Sequence, residues 1–351
     1  MSTSSETPKG VLITTQSQRD RILQVASIPC RLSLGHDLRY GSSISTPVSD
    51  LGDLEYLPVE IICEIARLLD ISSLFSLSHV NRRGRQVITS IPELALVTKL
   101  AHRALRTLFD AKLAQCFTIT DLSGALSIEN CHFCDNFGGH LYLPSLTRCC
   151  INCRRIFQPL PISALEPYVS EQQLRDMSIP VMQAHLTSFF SERFKNQRVW
   201  LVDSEAITRI QVMGGLPALK LSKGTRYNIG YDHNQIRYQT VAAPMLPHVD
   251  PRSWKAQHGV MCHGCRVGLY RAKWFRMPKT DVVAARKLME VVYSNEGLIK
   301  HFAECAEAQE IWASSKDGTV EPQKPEWLLQ REEQTRRSLR LGEHRVRLGG
   351  A

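Results

Sequence analysis

The sequence predicts an α-rich α+β fold: a three-helix unit in the N-terminal third, then a mixed α+β region braced by Cys/His metal sites. Three observations carry this. Apolar residues recur at helical spacing between Leu54 and Leu94. Two separate cysteine clusters have metal-ligand spacing. Around them, short apolar or alternating stretches are punctuated by Pro and Gly.

In the helical stretch, Leu57, Ile61, Ile65 and Leu68 recur at spacings of four, four and three, with Ile62 and Leu69 alongside. That is the stripe of one amphipathic helix. Pro58 sits in its first turn, where a missing N–H costs nothing. Glu60 lies near the positive end of the helix dipole. Asp70, with Ser72 and Ser73, stops this helix and caps the next. Leu74, Leu77 and Val80 form a second stripe, and Asn81 to Arg85 reads as a basic turn into a third short helix through Val87 and Ile88. A unit this small buries too little surface to cover all these side chains. The surplus needs a partner, or the rest of the chain.

Composition sets outer bounds. A chain of 351 residues accommodates two or three units. A hydrophobic fraction of 43% supports sizeable cores, and a net charge of +9 favours acidic partners, either nucleic acid or an acidic protein surface. No run of eighteen apolar residues predicts a membrane span. No basic-then-apolar leader predicts secretion. Eleven cysteines without such a leader point to a reducing compartment, cytoplasm or nucleus, where clustered cysteines hold metal rather than pair as disulfides.

The expected organisation follows. Residues 1–52, rich in Ser and Thr, read as a mostly disordered segment with apolar islands at Val11–Thr14 and Val25–Leu34. Residues 53–95 hold the three helices, and 96–130 are linker helices. Helical spacing continues from Glu93 to Phe117, with Lys99, His102, Arg103, Arg106 and Lys112 on other faces. A short helix over Thr120–Ile128, capped by Thr120 or Asp121, leads to a cysteine module at 131–155. A mixed region with the second cluster fills 156–315, and 316–351 is a basic tail. From Arg331 to Gly350 that tail carries six Arg against three Glu.

In the first cluster, Cys131 and Cys134 are followed after fifteen residues by Cys150 and Cys153. Each C-x-x-C turns tightly enough to aim two thiolates at one ion. Two such knuckles close a tetrahedral structural zinc site with no position for water. Cys149 is the alternative to Cys150, and His132 and His140 are possible substitutes. Leu141 to Pro144 is strand-like, and Gly138-Gly139 supplies the turn. In the second cluster, Cys262 and Cys265 need two further ligands. Ser294 or Asn295 opens a helix containing Leu298, His301, Phe302, Cys305 and Trp312. His301 and Cys305, four apart, share one face and complete a Cys-Cys-His-Cys set. His263 is the alternative fourth ligand. A redox reading of Cys262 and Cys265 needs a thioredoxin-like context that the flanks do not supply. Cys30, Cys63 and Cys116 stand alone as ordinary thiols.

Between the clusters, Ser170 to Gln173 reads as a capping box. Val199–Val202 reads as a strand, Asp203 or Ser204 caps a helix ending at Gly214-Gly215, and Ile236, Tyr238 and Thr240 alternate like a strand. This region holds no Gly-rich phosphate loop, no nucleophile with a convincing His partner, and no HxE or HExxH pattern.

The order Leu57-Pro58-x-Glu60-Ile61, then Ile65, Leu69-Asp70, Leu74, Leu77-Ser78-x-Val80-Asn81-Arg82-x-x-Arg85 resembles the F-box. Gly84 departs from it, standing where that family usually has an aromatic, and is expected to loosen the turn into the third helix. Together with Phe137-Gly138-Gly139, Arg148-Cys149-Cys150 and His301-Phe302-x-x-Cys305-x-x-Ala308-Gln309-x-x-Trp312, the arrangement resembles fungal F-box proteins with a zinc-knuckle region after the F-box. The resemblance covers roughly Leu54 to Trp312. It implies a non-catalytic substrate receptor. Leu57, Pro58, Ile61, Ile65, Leu74, Leu77 and Val80 would supply the face that meets a Skp-type adaptor and, through it, a cullin. The zinc-stabilised region would meet an unidentified target protein. The second reading is a zinc-dependent nucleic-acid-binding protein.

Overall fold

The computed structural model describes residues 16–29, 50–165, 168–186, 197–212, 233–322, 326–330 and 333. Apart from Glu333, the expected Arg331–Gly350 tail lies outside them, as do Val11–Thr14 and Gly214-Gly215. The fold is helix-rich α+β, divided into two compact units. One is split in sequence (Met1–Cys30 with Gly259–Ala351) and the other is continuous (Arg31–His258).

In chain order, the split unit opens with helix α1 (Gln16–Ala26) and strand β1 (Ser27–Pro29). The continuous unit begins with six helices: α2 (Val59–Leu68), α3 (Ile71–Val80), α4 (Arg82–Thr89), α5 (Pro92–Leu100), α6 (His102–Asp110) and α7 (Ile119–Ser127). It continues through β2 (His140–Tyr142), β3 (Thr147–Cys149), β4 (Pro159–Pro161), α8 (Glu171–Asp176), β5 (Val181–Leu186), β6 (Gln197–Asp203), α9 (Ser204–Val212), α10 (His233–Ala242), β7 (His248–Asp250) and β8 (Lys255–Gln257). The split unit resumes with β9 (Val260–Cys262), α11 (His263–Trp274), α12 (Lys279–Met289), β10 (Val292–Tyr293), α13 (Asn295–Glu304) and α14 (Ala306–Ser314).

Local chemistry explains the helix boundaries. Asp70 accepts from the Ser73 N–H at 2.9 Å and starts α3. Asn81 does the same for α4 through the Gly84 N–H at 2.7 Å, so the expected basic turn is already the first turn of that helix. The cap of α7 is Thr118, two residues before the expected Thr120, in a reciprocal box with Asp121. Ser170 and Gln173 form the box that opens α8.

Gly84 does not loosen its turn. It is buried, and a Cβ there would stand 2.8 Å from the Leu77 backbone oxygen. The missing side chain is what lets α4 close onto α3.

The core of the continuous unit runs from α2–α7 into the cysteine hairpin β2–β3, and includes Ile71, Leu74, Ile88, Leu108, Leu122 and Tyr142. A three-stranded antiparallel sheet in the order β4-β6-β5 carries a separate cluster around Leu160, Leu165, Leu174 and Val202. Ile236, Tyr238 and Thr240 lie in helix α10, not in a strand. Tyr238, Val241 and Ala242 reach the core at helical spacing, and Gln239 is held by the Phe157 carbonyl at 2.8 Å.

In the split unit, β1 and β10 flank β9, both antiparallel. Residues 16–29 are therefore ordered, against the expectation of disorder over residues 1–52. Ile22 and Ala26 of α1 are fully buried with Leu298, Phe302 and Trp312. Ser27 of β1 pairs with Cys262.

Candidate functional site

Helix α2 is apolar on two sides. Ile62 and Ala66, one turn apart, are buried against the core. Leu57, Ile61, Ile65 and Leu68 point outward, and Ile61, Ile65 and Leu68 are 46%, 42% and 81% exposed. Val59 and Val80 are exposed as well. Of the seven residues expected to face a partner, Leu57, Pro58, Ile61, Ile65 and Val80 are exposed. Leu74 is fully buried and Leu77 half-buried in the core. The correction has a simple cause: α3 turns Ile71, Leu74 and Ser78 inward together, at spacings of three and four. Arg67 bridges Glu64 and Glu93 across the polar side of α2, and Arg83 pairs with Glu55 at 2.7 Å.

The first group that could hold a metal ion is Cys131, Cys134, Cys150 and Cys153, whose sulfurs all lie within 4.8 Å of one another. Cys134 Sγ is 3.7 Å from the sulfurs of both Cys150 and Cys153. A tetrahedron with metal–sulfur bonds of about 2.3 Å has edges of about 3.8 Å. The knuckles also show amide-to-sulfur bonds. Phe133 N–H donates to Cys131 at 3.5 Å, Cys153 N–H to Cys150 at 3.4 Å, and the Asn136 side chain to Cys134 at 3.4 Å. Burial pushes the Cys134 thiol up, but hydrogen bonds from Asn136 outweigh it and hold the group at about 7. A thiol poised near neutrality loses its proton readily to a metal.

Cys149 is the β3 residue opposite His140 and lies fully buried in the core, where burial raises its thiol to about 12. Side chains alternate across a strand, so consecutive cysteines face opposite ways and Cys150 joins the metal-ligand set. His132 is exposed. His140 is buried and donates from Nδ1 to the Ala243 carbonyl at 3.0 Å, and burial holds it neutral with a pKa of about 4. The turn of the hairpin is Leu143 to Leu146. Gly138-Gly139 instead precedes β2, with the Gly138 N–H bonded to the Glu129 carbonyl.

Arg148 secures this hairpin. It is fully buried and donates to five carbonyls: Ala125, Leu126, Gly138, Leu246 and Pro247. These join the end of α7, the glycine pair before β2 and the segment before β7. Burial lowers its pKa to about 10, and it stays cationic at neutral pH. Arg148→Met is expected to destabilise this unit by about 3–5 kcal/mol, because five buried acceptors lose their donor. Chemical denaturation of the variant measures this.

The second set is Cys262, Cys265, His301 and Cys305. Cys262 Sγ lies 3.8 Å from Cys305 Sγ, and Cys265 Sγ lies 3.2 Å from His301 Nε2 and 4.0 Å from Cys305 Sγ. The expected single helix is two: the chain turns at Cys305, which ends α13 and caps α14. The Cys305 N–H still reaches the His301 carbonyl at 3.0 Å, so the two ligands remain one turn apart. Cys262 in turn caps α11 and accepts from the Cys265 N–H. The positive ends of α11 and α14 thus meet at the cluster and favour thiolate. Hydrogen bonds from Cys265 and Cys305 hold the Cys262 thiol well below its usual range. The Tyr293 ring stacks on His301 at 4.7 Å. Gly264 makes the crossing possible, since a Cβ there would lie 2.3 Å from the Ala308 backbone nitrogen. In the sequence, Gly264 stands between two candidate ligands and Arg148 in the Arg-Cys-Cys run, but neither had a role assigned: the acceptors of Arg148 are scattered along the chain, so no local spacing marks them.

The described residues thus present an outward apolar helix face and two four-residue Cys/His groups that could each hold a metal ion. Residues 54–96 match the F-box domain family. They are an F-box domain, a module that implies binding to a Skp-type adaptor. No curated protein and no solved structure matches the chain. Among the described residues, no helix is long and apolar enough to cross a membrane.

Proposed function

We propose that the chain is the substrate-receptor subunit of a Skp–cullin–F-box ubiquitin ligase. The F-box domain binds the adaptor, and the zinc-stabilised remainder binds a target protein without catalysis of its own. The observation that carries this is the exposed row Ile61, Ile65 and Leu68 on an F-box helix, with Leu57 just before it, the helix's other apolar side being already used by the core. Exposed apolar rows of this kind mark protein-binding surfaces. Co-precipitation is the test. The full chain is expected to recover a Skp-type adaptor, and Leu57→Ala combined with Pro58→Ala is expected to abolish that recovery. Full recovery by the double variant refutes the reading.

Zinc fits both ligand sets: soft thiolates, a neutral imidazole and four-fold closure suit it, and no position is left for substrate or water. Its role is structural. Purified chain is expected to carry about two zinc ions. Cys150→Ser is expected to carry about one and to melt at lower temperature, because metal binding contributes folding energy directly. Elemental analysis together with a melting curve reads both. Retention of full metal by the variant removes the first site.

A further inference from the structure

Resting on the substrate-receptor reading, we infer that the hairpin of α11 and α12 docks an acidic segment of the target protein, one that also carries large apolar side chains. Helix α12 fully buries none of its residues. Val282, Ala285 and Met289 are half-buried along one side. Lys279, Val283 and Arg286, at spacings of four and three, form an exposed strip beside that side, and Lys287 is exposed next to them. The turn before α12 adds Phe275, Arg276 and Met277, also exposed, with Phe275 at 60%.

None of Arg276, Lys279, Arg286 and Lys287 makes an ion pair or a side-chain hydrogen bond among the described residues. The acid on the helix, Asp281, is engaged by the Thr280 hydroxyl at 3.1 Å, and Glu290 follows at its end. Cations without internal counter-charges select an acidic partner by complementarity. The interleaved Val283, Phe275 and Met277 give phosphate nothing to bind, but they do match apolar anchors in a peptide. Single-stranded nucleic acid calls for a row of stacking platforms, whereas Phe275 is the one aromatic among these side chains and its ring already lies 6.2 Å from that of Trp327. An interfacial membrane helix needs a continuous apolar face, whereas three of these four α12 residues are cationic.

The test uses the full chain and fluorescence anisotropy. The probe is a short labelled peptide of Glu interrupted by one Phe and one Leu. An all-Glu peptide, oligo-uridine RNA and phosphatidylserine vesicles are the comparison ligands. The mixed peptide is expected to bind most tightly. Its affinity should fall on the order of tenfold or more in Lys279→Glu/Arg286→Glu/Lys287→Glu, and separately in Val283→Asp. Zinc content of each variant reports that the unit remains folded, and milder Lys→Ala changes replace any variant that loses metal. Unchanged binding in the folded variants overturns the inference. So does equal affinity for the all-Glu peptide, or tighter binding of RNA or vesicles. Adaptor capture is read on the same samples. Its loss with peptide binding intact overturns the ligase reading alone, and loss of peptide binding with adaptor capture intact overturns this inference alone.

Discussion

Replacing Ile61 and Ile65 with Asp is expected to eliminate adaptor binding while leaving the melting temperature nearly unchanged. Both side chains are a little under half exposed, about 100° round α2 from buried Ile62 and Ala66. Covering the ~80 Å² that each leaves to water contributes about 2 kcal/mol at ~25 cal/mol per Å². Two Asp residues remove that gain and add the cost of desolvating carboxylates at an apolar contact, so a loss of about 5 kcal/mol or more is expected. That is more than a thousandfold in Kd. The unbound fold loses little, since surface changes of this kind stay within about 1 kcal/mol. Leu74→Asp makes the contrast: Leu74 is fully buried, so the same chemistry there should unfold the domain. Titration calorimetry with purified adaptor, beside a melting curve, separates the two. If the Ile61/Ile65 variant binds as well as the parent, the outward row is not the adaptor face.

Local signals were legible in the sequence where the structure is itself local. The 57–68 stripe, the Asp70 cap and the Ser170 box each depend on residues within one or two helical turns, and each was visible as spacing. The direction of a stripe was not. A helix with apolar residues on two sides offers both to a partner or a core, and only neighbours decide which is covered. Here α3 and α4 supply the answer, by burying Leu74 and closing over Gly84. The grouping of the two Cys/His sets was legible for a chemical reason: chelation would constrain spacing within each pair, so C-x-x-C and His-x-x-x-Cys stand out as patterns whatever lies between them. The strand reading of Ile236, Tyr238 and Thr240 failed because three alternating residues fit either period. Arg148 reads as a surface cation until the carbonyls of Ala125, Gly138 and Leu246 converge on it.

The least legible segment leads to the largest structural effect. With zinc in both centres as proposed, Ile22→Asp is expected to strip it from the second while the first keeps its ion. Ile22 is fully buried in the cluster that contains Cys262, Cys265 and Cys305 themselves, beside Phe302 and Trp312. Four residues further on, one helical turn, Ala26 is buried in the same cluster, and Ser27 begins the strand paired with β9. An aliphatic-to-Ala truncation at such a site already costs about 2–5 kcal/mol, and an unpaired buried carboxylate costs more. Because metal affinity and folding of a small centre are one free energy, that cost appears as weaker binding. Each 1.4 kcal/mol is tenfold, so retention should fall by a factor of about a hundred or more. Arg19→Ala is the control. Its pair with Glu296 is solvent-exposed at 3.6 Å and contributes little. Zinc release to a chromogenic chelator, followed over time, should show one fast and one slow equivalent in Ile22→Asp and two slow equivalents in Arg19→Ala. Two slow equivalents in both would mean that the centre stands without its N-terminal helix, and residues 16–29 would then be an appendage rather than part of the metal-braced unit.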